Sequence, residues 1–229
     1  MIEDPPLLQI RRSFSRPDRA VLNSFRNVQT EHLADAMGGR GALDYQIKPL
    51  DPERATFVAI AVTCGCGPGD NLAIVAALAF LQPGDAIVAA TDSFSGLAVV
   101  GRRVTGMARN RGAVAIVTDG LARDTPGIRA NGIPVFCRGI TPNSATASGP
   151  GTVGEQVVVG GVAVQSGDIV VGDSDGVVVI PQARIGEVLM RLEAVRAREA
   201  DLAAKLASGL GVSRTVTELL DSPRVRYLD

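Results

Sequence analysis

The sequence predicts an α/β fold built on a largely parallel sheet, and two features of its patterning carry that expectation. Two unbroken apolar runs, TFVAIAVTCGCG and AIVAATD, flank a helical run, NLAIVAALAFL, and the plan returns in GRRVTGMARNRGAVAIVTD. Strands apolar on both faces are covered on both sides, and consecutive strands joined by a helix pair in parallel. A third feature closes the chain: short Val-rich strands with tight turns, followed by one long amphipathic helix.

Composition narrows the function classes. The chain has 229 residues, 46% hydrophobic and 21% charged, with 3% aromatic and no Trp, so one domain with a core of Val, Ala, Leu and Ile is expected over 1–229. A net charge of -1 without a Lys/Arg cluster gives no summed basic field for nucleic acid or an anionic membrane. Three cysteines without a CxxC pair, and a single histidine, speak against a disulfide framework or a Cys/His zinc site. The start, MIEDPPLLQIRRSF, lacks the basic and apolar regions of a secretory signal, and no run reaches the length of a membrane span. A soluble, cytoplasmic protein is the expectation.

In chain order, an N-terminal helical arm to about residue 40 comes first. It has one helix around Asp18 to Phe25 and a second opening near Thr30, where Glu31 suits the positive helix start. Gly38, Gly39 and Gly41 stop it, and His32 reads as a surface or packing histidine. Cys64 and Cys66, alternating with Gly65 and Gly67, read as small packing residues at a strand end. Asp70 is placed as the N-cap of NLAIVAALAFL, and Gln82-Pro83-Gly84-Asp85 as a turn into the next strand.

The stretch from Gly101 to Asp124 organises the rest: a helix beginning near Arg102, a buried strand AVAIVTD, and a loop through Asp119-Gly120 to the pair Arg123-Asp124. The first N–H groups of a helix lack intrahelical partners and carry the positive end of its dipole, so Gly101 to Val104 can cradle a carboxylate or phosphate. Arg123 and Asp124 place a fixed cation and a hard oxygen ligand at one mouth, at the same sheet edge. After an irregular piece, GIPVFCRGI reads as one strand and TPNSATASGPG as a small-residue loop.

Beyond Gln156 the turns are Gly160-Gly161, Ser166-Gly167-Asp168 and Asp173-Ser174-Asp175-Gly176. The last looks like a fragment of a calcium loop, without the terminal Glu and flanking helices of an EF-hand. Pro181 opens a helix over about 182–208 that ends at Gly209, and Ser213 caps a short final helix through Leu220. The long helix carries an apolar seam of Ile185, Val188, Leu192, Val195, Leu202 and Leu206, interrupted by Glu199. A carboxylate on a packing stripe is costly unless paired or functional. Either it pairs with a neighbouring Arg or it reaches a site across a subunit contact.

PGDAIVAATD, RGAVAIVTDGLARD, IPVFCRGITP and GGVAVQSGDIVVGDSDGVVVIP together resemble the RraA-like family over roughly Thr30 to Gly209. That family joins the regulator of ribonuclease activity A with the pyruvate-forming 4-hydroxy-4-methyl-2-oxoglutarate (HMG) and 4-carboxy-4-hydroxy-2-oxoadipate aldolases. The resemblance implies a swivelling β/β/α three-layer fold, assembled as a homotrimer or hexamer with the site between subunits. By resemblance to the aldolases, Arg123 contacts a small 2-oxo acid and Asp124 holds a divalent metal, Mg²⁺ or Mn²⁺. The backbone amides of Gly101, Arg102, Arg103 and Val104 bind the pyruvoyl carboxylate, and Glu199 comes from the adjacent subunit. The chain departs from the pattern at Arg102, where the family usually has Asp or Glu associated with water-mediated proton transfer near the metal; an Arg there suits a second carboxylate of a different substrate.

The expected activity is a class II, metal-dependent pyruvate aldolase or oxaloacetate decarboxylase. It works through an enolate stabilised by metal and Arg123. The alternative is a non-catalytic regulator that binds a ribonuclease or helicase.

Overall fold

A computed structural model describes residues 6–228; the first five residues of the expected N-terminal arm lie outside the described residues. The elements in chain order are β1 (Leu8–Ile10), α1 (Arg19–Ser24), α2 (Thr30–Ala36), β2 (Lys48–Pro49), β3 (Phe57–Cys66), α3 (Leu72–Ala77) and β4 (Asp85–Ala90). Then come β5 (Ala98–Val100), α4 (Arg102–Asn110), β6 (Ala115–Thr118), β7 (Leu121–Ala122), α5 (Thr125–Asn131), β8 (Val135–Cys137) and β9 (Gly139–Ile140). The chain continues through β10 (Gly151–Val153), β11 (Val157–Val159), β12 (Val162–Val164), β13 (Ile169–Gly172) and β14 (Val177–Ile180). It ends with α6 (Ile185–Ala207) and α7 (Arg214–Leu220).

The expected α/β architecture is present. β3, β4, β6 and β8 pair in parallel, and β10, β13, β14, β1 and β2 extend them into a nine-stranded sheet. One face packs on α3, α4 and α5 through Val62, Ile87, Ile116, Ile74 and Val104. The other face packs on the β11–β12 hairpin through Ala59, Ala61, Val88, Val117, Val157 and Val159. These strands read as unbroken apolar runs because neither face meets water.

A second sheet went unread. β5, β7 and β9 form a small parallel sheet of their own, so the chain steps from β4 to β5, from β6 to β7 and from β8 to β9. Asp119 secures one of these steps. Its buried carboxylate accepts from Thr91 N–H at 2.7 Å and Ser93 N–H at 3.0 Å, and holds Asp92 and Ser93 in the left-handed region (φ 54° and 57°).

Three expectations need correction. GIPVFCRGI is two strands in different sheets, split at Arg138, whose guanidinium leaves the barely polar interior to meet Asp44 at 3.2 Å. The piece after Asp124 is helical, because Asp124 Oδ1 accepts from Gly127 N–H at 3.2 Å and Pro126 fits a helix start. NLAIVAALAFL is helical only over Leu72–Ala77. Asn71 is its N-cap, and the chain then tightens into successive turns to reach Gln82. Asp173 serves the fold: its carboxylate accepts from Thr30 N–H and Thr30 Oγ1, both at 2.8 Å, and so caps α2.

On α6, Val188, Leu192 and Val195 pack against Leu33, Ile169, Val178 and Ile180. Beyond Val195 the seam is uncovered, with Leu202 43% and Leu206 57% exposed. No helix among the described residues is long and apolar enough to cross a membrane.

Cys64 and Cys66 are packing residues, as expected, and all three cysteines are free and buried. Burial pushes the Cys66 thiol up to about 12 and raises Cys64 and Cys137 as well. A thiolate is the reactive form, so Ellman's reagent is expected to label none of them in the folded protein at neutral pH and all of them in denaturant. Rapid labelling of any thiol before unfolding would contradict this burial.

Candidate active site

The parallel strands of the small sheet all point their C-terminal ends at one cavity of about 590 Å³. β5 delivers Gly101 and the start of α4, β7 delivers Arg123 and Asp124, and the loop after β9 delivers Pro142 and Ser144. This is the crevice beyond the carboxyl ends of parallel strands where α/β proteins bind ligands. Gly101, Arg102, Arg103, Val104, Arg123 and Asp124 therefore meet in one place, as expected from their order in the chain.

The first intrahelical bond of α4 runs from Thr105 N–H to Gly101 O at 3.0 Å, which leaves the amides of Arg102, Arg103 and Val104 open. Asn131 Nδ2 donates to Arg102 O at 2.8 Å and to Thr105 Oγ1 at 2.7 Å, fixing this turn against α5. Arg123 N–H bonds Val100 O at 2.9 Å, and its side chain lies across Gly101, where a Cβ would stand 3.3 Å from Arg123 Cγ. Among the described residues the Arg123 guanidinium has no ion pair.

Asp124 adopts a left-handed conformation (φ 59°, ψ 53°), strain of the kind that clusters at functional sites. Both carboxylate oxygens are engaged: Oδ1 by Gly127 N–H at 3.2 Å and Oδ2 by Arg102 Nε at 3.2 Å.

Asn71 completes the lining; as the first residue of an expected helix it carried no site role in the sequence. Its Nδ2 donates to Val99 O at 3.1 Å, tying α3 to β5. The available signal was its place just beyond β3, in the crevice at the strand ends. Beside it, Asp70 accepts from Leu72 N–H (2.8 Å), Thr146 Oγ1 (3.0 Å), Ser148 N–H (2.5 Å) and Gly149 N–H (3.1 Å), which pins the 141–150 loop.

Burial alone would raise the Asp70 carboxyl, but those donors together hold it below the usual range. Its contribution to stability is thus present above the unfolded value of about 3.9 and lost as pH falls through the lower folded value. Denaturant titrations of wild type and Asp70→Asn are expected to differ by a constant amount near neutrality and to converge in acid. A gap that widens in acid would reverse the assignment.

Glu199 is half-buried on the protruding part of α6, has no ion pair among the described residues, and does not line this cavity. His32 lies on α2, 3.6 Å from Glu31, outside the cavity. A larger cavity of about 750 Å³ opens at the opposite ends of the strands, where Arg16 pairs with buried Asp85 at 3.0 Å.

The expected metal can be tested against the donors present. Among the described residues, no group of three or more His, Cys, Asp or Glu is placed to hold an ion. Among the described residues Asp124 is the single carboxylate in the lining; it pairs with Arg102, and Arg103 and Arg123 line the same cavity. Adding Glu199 from a neighbouring copy still leaves guanidiniums in the majority. A Mg²⁺ that keeps most of its waters can rest on one carboxylate, but here that carboxylate is already paired with the Arg102 guanidinium, so the set as arranged does not fit a divalent cation.

A family model described as RraA-like, aldolase/RraA, matches residues 30–179. The chain belongs to the RraA-like family. A provisionally named 4-hydroxy-4-methyl-2-oxoglutarate aldolase of Halalkalibacterium halodurans is 36% identical over 177 residues, spanning 77% of this chain and 84% of that protein. Two solved structures share the RraA-like fold. An uncharacterized protein from Pseudomonas syringae superposes with a TM-score of 0.75 at 28% identity, covering 86% of this chain and 96% of that one. Streptomyces coelicolor RraAS2, described as an unusual member of the RNase ES inhibitor RraA protein family, superposes at 0.73 with 26% identity, covering 84% and 100%.

Proposed function

We propose that this RraA-like chain is a lyase that forms pyruvate from 2-oxo dicarboxylates, by retro-aldol cleavage of HMG-like substrates, by decarboxylation of oxaloacetate, or both. The observation that carries this reading is the Arg123 guanidinium, without an ion pair among the described residues, set against the open first turn of α4. The name of the Halalkalibacterium halodurans relative supports the substrate class.

In this reading the amides of Arg102, Arg103 and Val104 bind the substrate carboxylate, and Arg123 donates to the adjacent C2 oxygen. Cleavage of the bond from C3 leaves an electron pair that delocalises onto that oxygen, and a preorganised guanidinium stabilises the charge where it develops. Protonation at C3 then releases pyruvate. Retro-aldol cleavage also needs a base for the C4 hydroxyl proton; we assign it to Glu199 of a neighbouring copy in a trimer or hexamer. The uncovered Leu202 and Leu206 follow Glu199 one and two turns along α6 and support such packing. Decarboxylation yields the same enolate without that base.

The test couples pyruvate to lactate dehydrogenase, with oxaloacetate and HMG as separate substrates, each in chelator and in Mg²⁺. Pyruvate from either substrate supports the lyase. Silence from both sinks it and favours the second reading, a regulator that binds a ribonuclease or helicase, which the likeness to RraAS2 and the loss of the acidic residue at Arg102 support.

A further inference from the structure

We infer that Arg102 is itself the cation of this site, so that the cavity binds the carboxylate and enolate oxygens of its ligand without a divalent metal. The position is built for the guanidinium. Arg102 Nε stands 3.2 Å from Asp124 Oδ2, while the other oxygen of that carboxylate caps α5. Gly127 makes room for it: a Cβ there would lie 2.5 Å from Arg102 Cδ and 2.8 Å from Arg102 Cβ. The Arg102 backbone is in turn held by Asn131.

Charge points the same way. With Arg103 and Arg123 in the same lining, a divalent ion at Asp124 would enter a region already rich in positive charge, whereas a dianion would be drawn into it. The pair is half-exposed, with side-chain exposures of 66% and 45%, so it is weak enough for a ligand carboxylate to exchange with Asp124 on the guanidinium fork. The ligand class is a planar dianion that spans Arg102, Arg123 and the α4 amides.

The inference rests on the lyase reading only for the kind of ligand; its test needs no turnover. Oxalate, which mimics the carboxylate and enolate oxygens of enolpyruvate, is titrated calorimetrically into the full chain in chelator and in Mn²⁺. Mn²⁺ binding is followed separately by electron paramagnetic resonance. Wild type is expected to bind oxalate equally in both buffers and to bind no Mn²⁺ at the site.

Removing the guanidinium in Arg102→Gln is expected to weaken oxalate in chelator by at least about tenfold, as for loss of a charge-assisted hydrogen bond. Arg102→Asp is expected to gain Mn²⁺ binding and to make oxalate binding metal-dependent. Stoichiometric Mn²⁺ on wild type that Asp124→Asn abolishes would overturn the inference. So would oxalate binding that requires Mn²⁺, is absent in both buffers, or survives Arg102→Gln unchanged. Metal-free oxalate binding without pyruvate formation would sink the lyase reading and leave this one standing.

Discussion

Arg123→Ala is expected to lower kcat/KM for pyruvate formation by about 10²–10³-fold, the range for deleting one preorganised donor to a developing oxyanion. The backbone of Arg123 is held by Val100 O, and its stem crosses Gly101 at the mouth of the cavity. Among the described residues no carboxylate competes for its guanidinium. Its donors are therefore in place before the substrate arrives, and the substitution removes charge stabilisation rather than a structural ion pair. The melting temperature should barely move. Arg123→Lys should recover only part of the loss, because an ammonium cannot present two parallel donors. The lactate dehydrogenase assay and a thermal melt on the same samples decide the matter; an Arg123→Ala variant with near wild-type kcat/KM would remove Arg123 from the chemistry.

Asp119→Ala is expected to cost about 3 kcal/mol of stability, from an unsatisfied buried donor and the loss of charge-assisted hydrogen bonds. In a chain of this size that corresponds to a fall in melting temperature of roughly 6–12 °C. Thr91, whose N–H and Oγ1 both donate to this carboxylate, is fully buried, so water cannot replace the lost acceptor. The left-handed turn at Asp92 and Ser93 would lose its anchor, and that turn leads from β4 towards β5, the strand that ends at Gly101. Activity should therefore fall with stability. Asp119→Asn should fall less on both counts, since an amide oxygen can still accept. A melt unchanged by Asp119→Ala would show that the step between the sheets is held elsewhere.

The long elements were legible because their patterns are long. β3, β4 and β6 each continue an apolar run, α6 repeats its seam over many turns, and Gly160-Gly161 marks the β11–β12 turn. β5, β7 and β9 span only two or three residues each, too short for any period to show. The helix α5 was hidden because Asp124 was read as a ligand rather than as a cap.

For the site, adjacency in the chain was enough to group Arg123 with Asp124 and to set both beside the start of α4, since strand, helix and strand return to the same edge. The family followed from the same stretches. What Arg102 does there was not available from order alone. Its partner Asp124 lies in the next strand–helix unit, and the pairing depends on the first turn of α5 presenting Gly127 rather than a larger side chain. The amide of Asn71 likewise reaches Val99 only because α3 packs beside β5.

The strand–helix units, the hairpin, the long helix and the family thus follow from the residues alone, because those depend on patterning along one segment. Long-range packing set the rest: a second small sheet gathers the site, Arg102 pairs with Asp124, and α6 leaves Leu202 and Leu206 uncovered. Those features depend on distances between segments far apart in the chain, and no local period records them.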